Sequence, residues 1–503
     1  MVGTVTALAS ASGSGLSSFL HGQQACGNLM ARPRGRRLRM MSQAPPAGGR
    51  IDLKRGDLLD LDKLHDKTRA GVPSIYPAAG SPEYFVGNDH LEFTATLAKI
   101  TYWYERDGFN PRIPPMAVTR HVRGGKTRFL QEIGMALHKK GVPVVLISFN
   151  DQTAKIERLE EDASLEQQLL WRISWAAATD EARELMDNDF KLWVERMVPS
   201  YEVVRERLER QNCVLLIDEL NKLITDDLRD KQEGKDLADL LKRRFVDPLG
   251  RYLVFSSHIT ATGNKLVKFM HSPSDRDVIR PRLPIIKTLE DARRLGVPGG
   301  ATKGSLCYLG LAPALVHDTY NIHKRNVEGC IKKRFEKLAL PPLTDETVKA
   351  VVMTNVCGQE EYAEKLGEWS QALDAFDGSD AAMHGSDAVS VLYTWPPCYL
   401  AAACDKLCRP KTVNPAFRRG LVFIGKSLRE LIKAPEGSGR EWKGVCAAVV
   451  VMRMMQSDIA RQFPSLLPSK HNNQPTNQLQ PKCRRERPLT ARASVRMPLW
   501  GRH

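Results

Sequence analysis

Apolar residues along this chain follow two rhythms. Between Met116 and Phe255, short uninterrupted apolar runs alternate with longer stretches in which apolar positions recur every three or four residues. The runs are Met116-Ala117-Val118-Thr119, Val142 to Phe149, Val214 to Ile217 and Tyr252-Leu253-Val254-Phe255. Apolar runs without polar alternation predict strands buried on both faces, as in a parallel sheet. Between them, a helix from Lys126 to Lys140 puts Phe129, Leu130, Ile133 and Leu137 on one face and ends at Gly141. A long helical region covers roughly Leu165 to Gln211, and a further helix spans Asp236 to Phe245. This alternation predicts an α/β domain with helices on both faces of a parallel sheet. Upstream, Phe93, Leu97, Ile100 and Trp103 recur at helical spacing between Tyr84 and Arg106, and Pro111, Pro114 and Pro115 then break that helix.

After about Pro284 the strand-length runs cease. Apolar stripes near Tyr308–Ile322 and Val348–Val356 predict a mostly helical extension over residues 285–435, with a soft Asp/Gly/Ser stretch near Asp374–Ser386. Pro435 to Gly439 reads as a linker, and an apolar helix follows at Trp442–Met455. Residues 1–75 and 457–503 read as disordered basic segments around a domain at 84–284, an extension at 285–435 and a helix within 436–456.

Composition adds charge to this outline. The 503 residues carry a net charge of +16, which favours acidic partners. Met1 to Ile51 holds no acidic residue but has Arg32, Arg34, Arg36, Arg37, Arg39 and Arg50, and the stretch after Lys470 holds only Glu486 against its arginines. Both ends therefore read as basic tails able to bind nucleic acid without sequence preference. The acid-free beginning also has the composition of an organelle transit peptide. Ten cysteines in so long a chain do not form a disulfide framework and suit a reducing, intracellular compartment. Cys398, Cys404 and Cys408 near His384 lack a CxxC pair, which argues against zinc. The longest apolar stretch, Val389 to Cys404, is broken by Pro396-Pro397 and too short to span a bilayer, so no membrane association is expected.

The candidate chemistry lies where strands end. Gly124-Gly125-Lys126-Thr127 joins the first strand to its helix, the place where backbone N–H groups, a helix N-terminus and a lysine can hold phosphates. Arg120 stands where the first glycine of the usual GxxxxGK[ST] loop belongs, so the loop must bend differently or use Arg123-Gly124-Gly125. Lys126 would reach the β- and γ-phosphates of a nucleoside triphosphate, and Thr127 would place its hydroxyl on Mg²⁺. Asp218 closes the third apolar run and is the second Mg²⁺ ligand expected; Glu219 beside it is the candidate base that activates water. Ser256, Ser257 and His258 end the fourth run and are placed to sense the γ-phosphate, and Arg276, Arg280 or Arg282 could neutralise phosphate charge.

Arg123-Gly124-Gly125-Lys126-Thr127-Arg128, preceded by Pro114-Pro115-Met116, resembles the P-loop NTPase module of Crinkler-type proteins, which is shared with trypanosome retrotransposon hot spot proteins. Leu216-Ile217-Asp218-Glu219-Leu220 and Phe255-Ser256-Ser257-His258 fall where that module's Walker B and sensor strands lie. Ser274-Asp275-Arg276 to Leu283-Pro284 looks like its closing segment. The resemblance covers about Tyr84 to Pro284. It implies an ASCE-type sheet, ATP or GTP hydrolysis with Mg²⁺, and a nuclear or host-directed effector role in some members. In such proteins a restriction-endonuclease-like domain often follows. Gly439-Arg440-Glu441-Trp442 looks like its opening, but Asp458 and Gln480-Pro481-Lys482 match only the letters of the remaining motif, so the nuclease is expected to be truncated. Three readings follow: an Mg²⁺-dependent NTPase, a nucleotide-binding switch without turnover, and a DNA-processing protein of mobile-element origin.

Overall fold

Valine, isoleucine and leucine supply half of the residues of four strands that are almost wholly buried, the composition that a pleated surface covered on both faces requires. In the computed structural model these are β1 (Met116–Thr119), β2 (Val144–Ser148), β3 (Cys213–Asp218) and β4 (Arg251–Ser257). The residues described are 50–78, 80–87, 90–108, 113–150, 153–224, 232–258, 278–297, 299, 301–322, 326–358, 360–377, 391–433 and 440–462. All four strands are parallel, in the order β1-β4-β3-β2. A bridge from Met116 to Ile279 continues the sheet beyond β1. The strand that follows β3 in the chain is thus inserted between β1 and β3, the arrangement of an ASCE-type P-loop NTPase sheet.

Helices α1 (Leu91–Tyr104), α2 (Lys126–Lys139), α3 (Leu165–Ala177) and α4 (Gln232–Phe245) pack against this sheet. On α2, Phe129, Leu130, Ile133 and Leu137 are fully buried, and each such side chain stabilises the fold by about 1.5–3 kcal/mol relative to exposure. Two expectations need correction here. Residues 84–87 and His90 are not helical, and α1 begins at Leu91. The helical region from Leu165 to Gln211 is broken: α3 ends at Ala177, short helices follow at Asp180–Glu184 and Phe190–Arg196, and Tyr201–Arg210 closes the run. Thr179, Asp189 and Ser200 each accept a backbone N–H as N-caps, so each restart satisfies donors that an unbroken helix would have paired internally.

Residues 50–75, expected to be disordered, also belong to the core. Leu53, Leu58, Leu61, Leu64 and Ile75 are buried against the sheet domain, and Ile51–Asp52 pairs in parallel with Met197–Val198. Residues 1–49 lie outside the described set.

A second core forms over the helical extension, from α5 (Asp345–Cys357), α6 (Pro397–Leu407), α7 (Pro415–Lys433) and α8 (Arg440–Gln462). Trp369, Tyr399, Leu407, Leu421 and Met452 are buried there, with Phe335 packed on Trp369 at 4.8 Å between ring centroids. The extension also contains an antiparallel strand pair, β5 (Asp374–Asp377) with β6 (Val391–Thr394). Helix α8, expected to open a nuclease, instead packs along α7 and buries Ala448, Met452, Met455 and Ile459 in this second core. Asp458 therefore sits on a helix, not at the end of a strand. The expected tail contributes helix up to Gln462, and residues 463–503, with Gln480 and Lys482, lie outside the described set, as do the linker and His384. Among the described residues, no helix is long and apolar enough to cross a membrane and no cluster of metal-ligating His, Cys, Asp or Glu occurs.

Candidate functional site at the carboxyl ends of the strands

Parallel strands in register bring their carboxyl ends to one edge. Thr119 of β1 lies opposite Ser257 of β4, Ile217 of β3 opposite Phe255, and Ser148 of β2 opposite Asp218. The polar residues that close these apolar runs are thereby collected at one end of the sheet, where ligands bind in open α/β sheets.

The loop from Arg120 to Gly125 turns there without a glycine at its start. Arg120 does not adopt positive φ; the left-handed positions are Arg123 at φ 64° and Gly125 at φ 92°. Gly125 is also the N-cap of α2, so the helix opens with N–H groups directed at the loop. Arg120 is buried with its side chain folded onto Gly124, where a Cβ would lie 2.5 Å from the Arg120 Cγ. The loop has thus replaced a small residue at its start with a small residue opposite a large one.

Lys126 and Thr127, the first residues of α2, face β3 and β4. The Lys126 Nζ donates to the Arg120 carbonyl at 3.2 Å and contacts the His121 carbonyl at 3.5 Å, and it lies 3.7 Å from Glu219 Oε1. Burial pushes its pKa down, against the pull of Glu219 and Asp218. The Thr127 hydroxyl donates to Asp218 Oδ2 at 3.0 Å. Ser256 donates to Asp218 Oδ1 at 2.6 Å while accepting the Glu219 N–H at 2.8 Å. Burial raises the Asp218 carboxyl above its usual range, with the Ser256 and Thr127 hydrogen bonds opposing.

Glu219 holds φ 62°, a left-handed conformation uncommon outside glycine, and the Ser256 hydrogen bond fixes its N–H there. Burial alone would push its carboxyl up. His258 and Lys126 outweigh that and hold it at about 2. His258 Nε2 lies 2.8 Å from Glu219 Oε2, close but not aligned as a hydrogen bond, and its Nδ1 is 3.3 Å from Lys126 Nζ. Burial and Lys126 lower the His258 pKa. A neutral ring with its proton on Nε2 fits both neighbours, since an ammonium can only donate to Nδ1.

Of the residues singled out from the sequence, Lys126, Thr127, Asp218, Glu219 and His258 are brought together, with Gly124 and Gly125 shaping the loop. Arg123 turns outward, 65% exposed and 4.0 Å from Asp318. Ser257 is buried with its hydroxyl on the His258 carbonyl, while its neighbour Ser256 contacts Asp218, as alternation along a strand dictates. Arg276 lies outside the described residues. Ser148, whose hydroxyl is 3.4 Å from Asp218 Oδ2, is a further polar contact that the sequence hides inside the Val142–Phe149 run. Cys213 is buried in β3 and its thiol is pushed up to about 12, which makes it inert packing. Cys398 and Cys404 are likewise buried in the second core.

Beside the loop lies a cleft of about 970 Å³, lined by residues including Glu83, Tyr84, Arg294, His317 and Asn321. It adjoins the start of α2: Arg128 donates to the Glu83 carbonyl at 3.3 Å, and Asp318, the partner of Arg123, follows His317. The Arg294 guanidinium stacks 3.7 Å from the Tyr84 ring centroid.

No protein-family model and no curated protein matches the chain. Solved structures similar to it include the following three. A Walker-type ATPase of Pyrococcus abyssi is 14% identical, with 61% of this chain and 95% of that chain covered, at a TM-score of 0.38. The ORC1 protein of Aeropyrum pernix, in complex with DNA, is 13% identical over 62% and 91% at 0.28. The ORC2 protein of Aeropyrum pernix, in ADPNP–ADP complexes, is 11% identical over 64% and 93% at 0.29. These scores are below 0.5, so any reading of the site rests on its own residues.

Proposed function

We propose that the chain binds a nucleoside triphosphate, ATP before GTP, and hydrolyses it with Mg²⁺. One observation carries this reading: a lysine and a hydroxyl at a helix N-terminus face two acidic residues at the end of a central parallel strand, with Thr127 bonded to Asp218 and Lys126 beside Glu219. The loop N–H groups and Lys126 would hold the β- and γ-phosphates, displacing Lys126 from its internal partners. The Thr127 hydroxyl and the Asp218 carboxylate are hard oxygen donors that fit Mg²⁺ and would hold it. When bound, Mg²⁺ would neutralise charge developing on the phosphates. Glu219, ionised and anchored through Ser256, would accept the proton of a water whose oxygen attacks the γ-phosphorus as the bond to the bridging oxygen breaks. The nucleoside end would occupy the cleft at Tyr84, which adjoins the loop at Arg128 and is of ligand-pocket size.

A second reading, nucleotide binding without turnover, is favoured by the buried set Lys126–His258–Glu219, in which base and lysine already form an ion pair at 3.7 Å. Steady-state phosphate release by the full chain, with and without Mg²⁺, separates the two. Mg²⁺-dependent release supports the enzyme, binding without release supports the switch, and failure to bind ATP or GTP overturns both.

A further inference from the structure

The entry to the phosphate loop is held from outside the sheet domain. Arg120 Nη1 donates to the Pro284 carbonyl at 2.9 Å and to the Gly124 carbonyl at 3.3 Å, while its Nε lies 3.9 Å from Asp374 Oδ1. The His121 N–H donates to the same Oδ1 at 3.4 Å, and its Nε2 lies 3.7 Å away. Val122 donates its N–H to the Gln371 carbonyl at 2.9 Å and accepts from the Tyr399 hydroxyl at 3.4 Å. The His121 ring also meets the Tyr399 ring edge-on at 5.7 Å. Three consecutive loop residues are therefore anchored on the helical extension. Arg120 and His121 are both buried around one carboxylate, so removing that carboxylate would strand a buried guanidinium. The Arg120 and His121 carbonyls are also the groups that orient Lys126.

We propose that Asp374 is a positioning residue for the phosphate loop, acting through Arg120 and His121 on Lys126, so that the loop binds phosphate only while the Gln371–Asp374 segment and Tyr399 are docked on it. This inference rests on the nucleotide reading above. It makes the helical extension part of the phosphate site, and a fragment ending at Pro284 would lack the anchor.

The test uses the full chain, with binding of a non-hydrolysable ATP analogue plus Mg²⁺ followed by calorimetry. Asp374→Ala is expected to raise Kd at least about tenfold, the scale of one lost loop interaction of 1.4 kcal/mol. Arg120→Ala in the same chain should recover most of that loss, because no buried guanidinium then lacks its carboxylate. Ile424→Ala, in the second core but away from the loop, is the control: it should lower Tm and leave Kd within about twofold. If Asp374→Ala does not fold, Asp374→Asn replaces it, keeping the volume and one acceptor, with a smaller loss in the same direction. Hydrogen exchange of the 120–126 amides reads the anchoring without nucleotide and should quicken in the Asp374 variant, not in Ile424→Ala. Wild-type affinity and exchange in the Asp374 variant would overturn the proposal. So would losses from Asp374→Ala and Arg120→Ala that simply multiply. Failure of the wild type to bind nucleotide would overturn the functional reading instead, while the exchange result would still judge the anchor.

Discussion

Gly124→Ala is a demanding test of how this loop bends. A Cβ there would lie 2.5 Å from Arg120 Cγ, 2.6 Å from Cδ and 2.8 Å from Cβ. Carbon pairs prefer about 3.5–4.0 Å, so roughly 1 Å must be found. Arg120 has little freedom to give way, since the nearest atoms belong to the stem of its side chain and its guanidinium is tied to the Pro284 carbonyl. Overpacking of this kind costs about 1–3 kcal/mol. If that strain falls on the binding-competent loop, affinity for nucleotide drops by about five- to 140-fold at 1.4 kcal/mol per decade. Gly125→Ala should also weaken binding, for a different reason. Nothing lies within 4 Å of its added Cβ, but its φ of 92° costs an L-residue about 1–2 kcal/mol. Arg120→Ala should therefore rescue Gly124→Ala and not Gly125→Ala. Calorimetric titration of an ATP analogue into the four variants measures this. Gly124→Ala within twofold of wild type, or rescue of both glycine variants alike, would refute the packing account.

Four further outcomes are expected. Lys126→Ala should lower nucleotide affinity by about tenfold or more, since it removes the charge facing the phosphates; unchanged affinity in a folded protein would sink the phosphate-loop assignment. Glu219→Gln should keep nucleotide binding and cut phosphate release by about a hundredfold, the scale of general-base loss. Because the Glu219 carboxyl is held at about 2, its native ionisation adds stability at neutral pH that is lost as pH falls from about 4.5 to about 2. Acid unfolding of Glu219→Gln should therefore be flatter than wild type across that window, and parallel curves would show that the carboxyl is not held down. Nucleic-acid binding should weaken steeply with salt and depend on Arg484, Arg485, Arg487, Arg492 and Arg496, without cleavage of plasmid DNA in Mg²⁺. Binding that survives removal of the segment after Lys470 would place the surface elsewhere, and nicking abolished by Asp458→Ala would reveal a working nuclease.

The sheet was legible in the sequence because strands buried on both faces write themselves as unbroken apolar runs, and the residues that close those runs mark the edge that carries the candidate site. Thr127, Asp218, Glu219 and His258 could be named because each follows directly on such a run or opens the helix after it. Residues 50–75 could not be read this way. Leu53, Leu58, Leu61 and Leu64 reach the core from and around two three-residue 3-10 helices, Arg55–Asp57 and Leu61–Lys63, which are too short to show a period. The breaks between Leu165 and Gln211 did have local signals, in the caps Thr179, Asp189 and Ser200, but the apolar spacing carried on through them. Asp374 left no signal at all. Its role depends on a contact with His121 across 253 positions, and the neighbouring Asp/Gly/Ser composition reads as a loop.

Arg120 weighed against turnover in the sequence because the first glycine of a phosphate loop normally permits a tight turn. The geometry moves that weight. Positive φ falls on Arg123 and Gly125, not on Arg120, so a side chain at position 120 has no backbone penalty to meet. What Arg120 demands is space and a counter-charge, and Gly124 gives the first while Asp374 gives the second. Strain in the site lies at Arg123 and at Glu219, whose left-handed backbone is pinned by Ser256 while its carboxylate faces Lys126 and His258. Strain of this kind is kept where the surroundings over-determine a side chain's position. A base that must meet a water at one fixed place would use such pinning, and in the proposed turnover the Ser256 hydrogen bond would offset the cost of about 1–3 kcal/mol for that backbone.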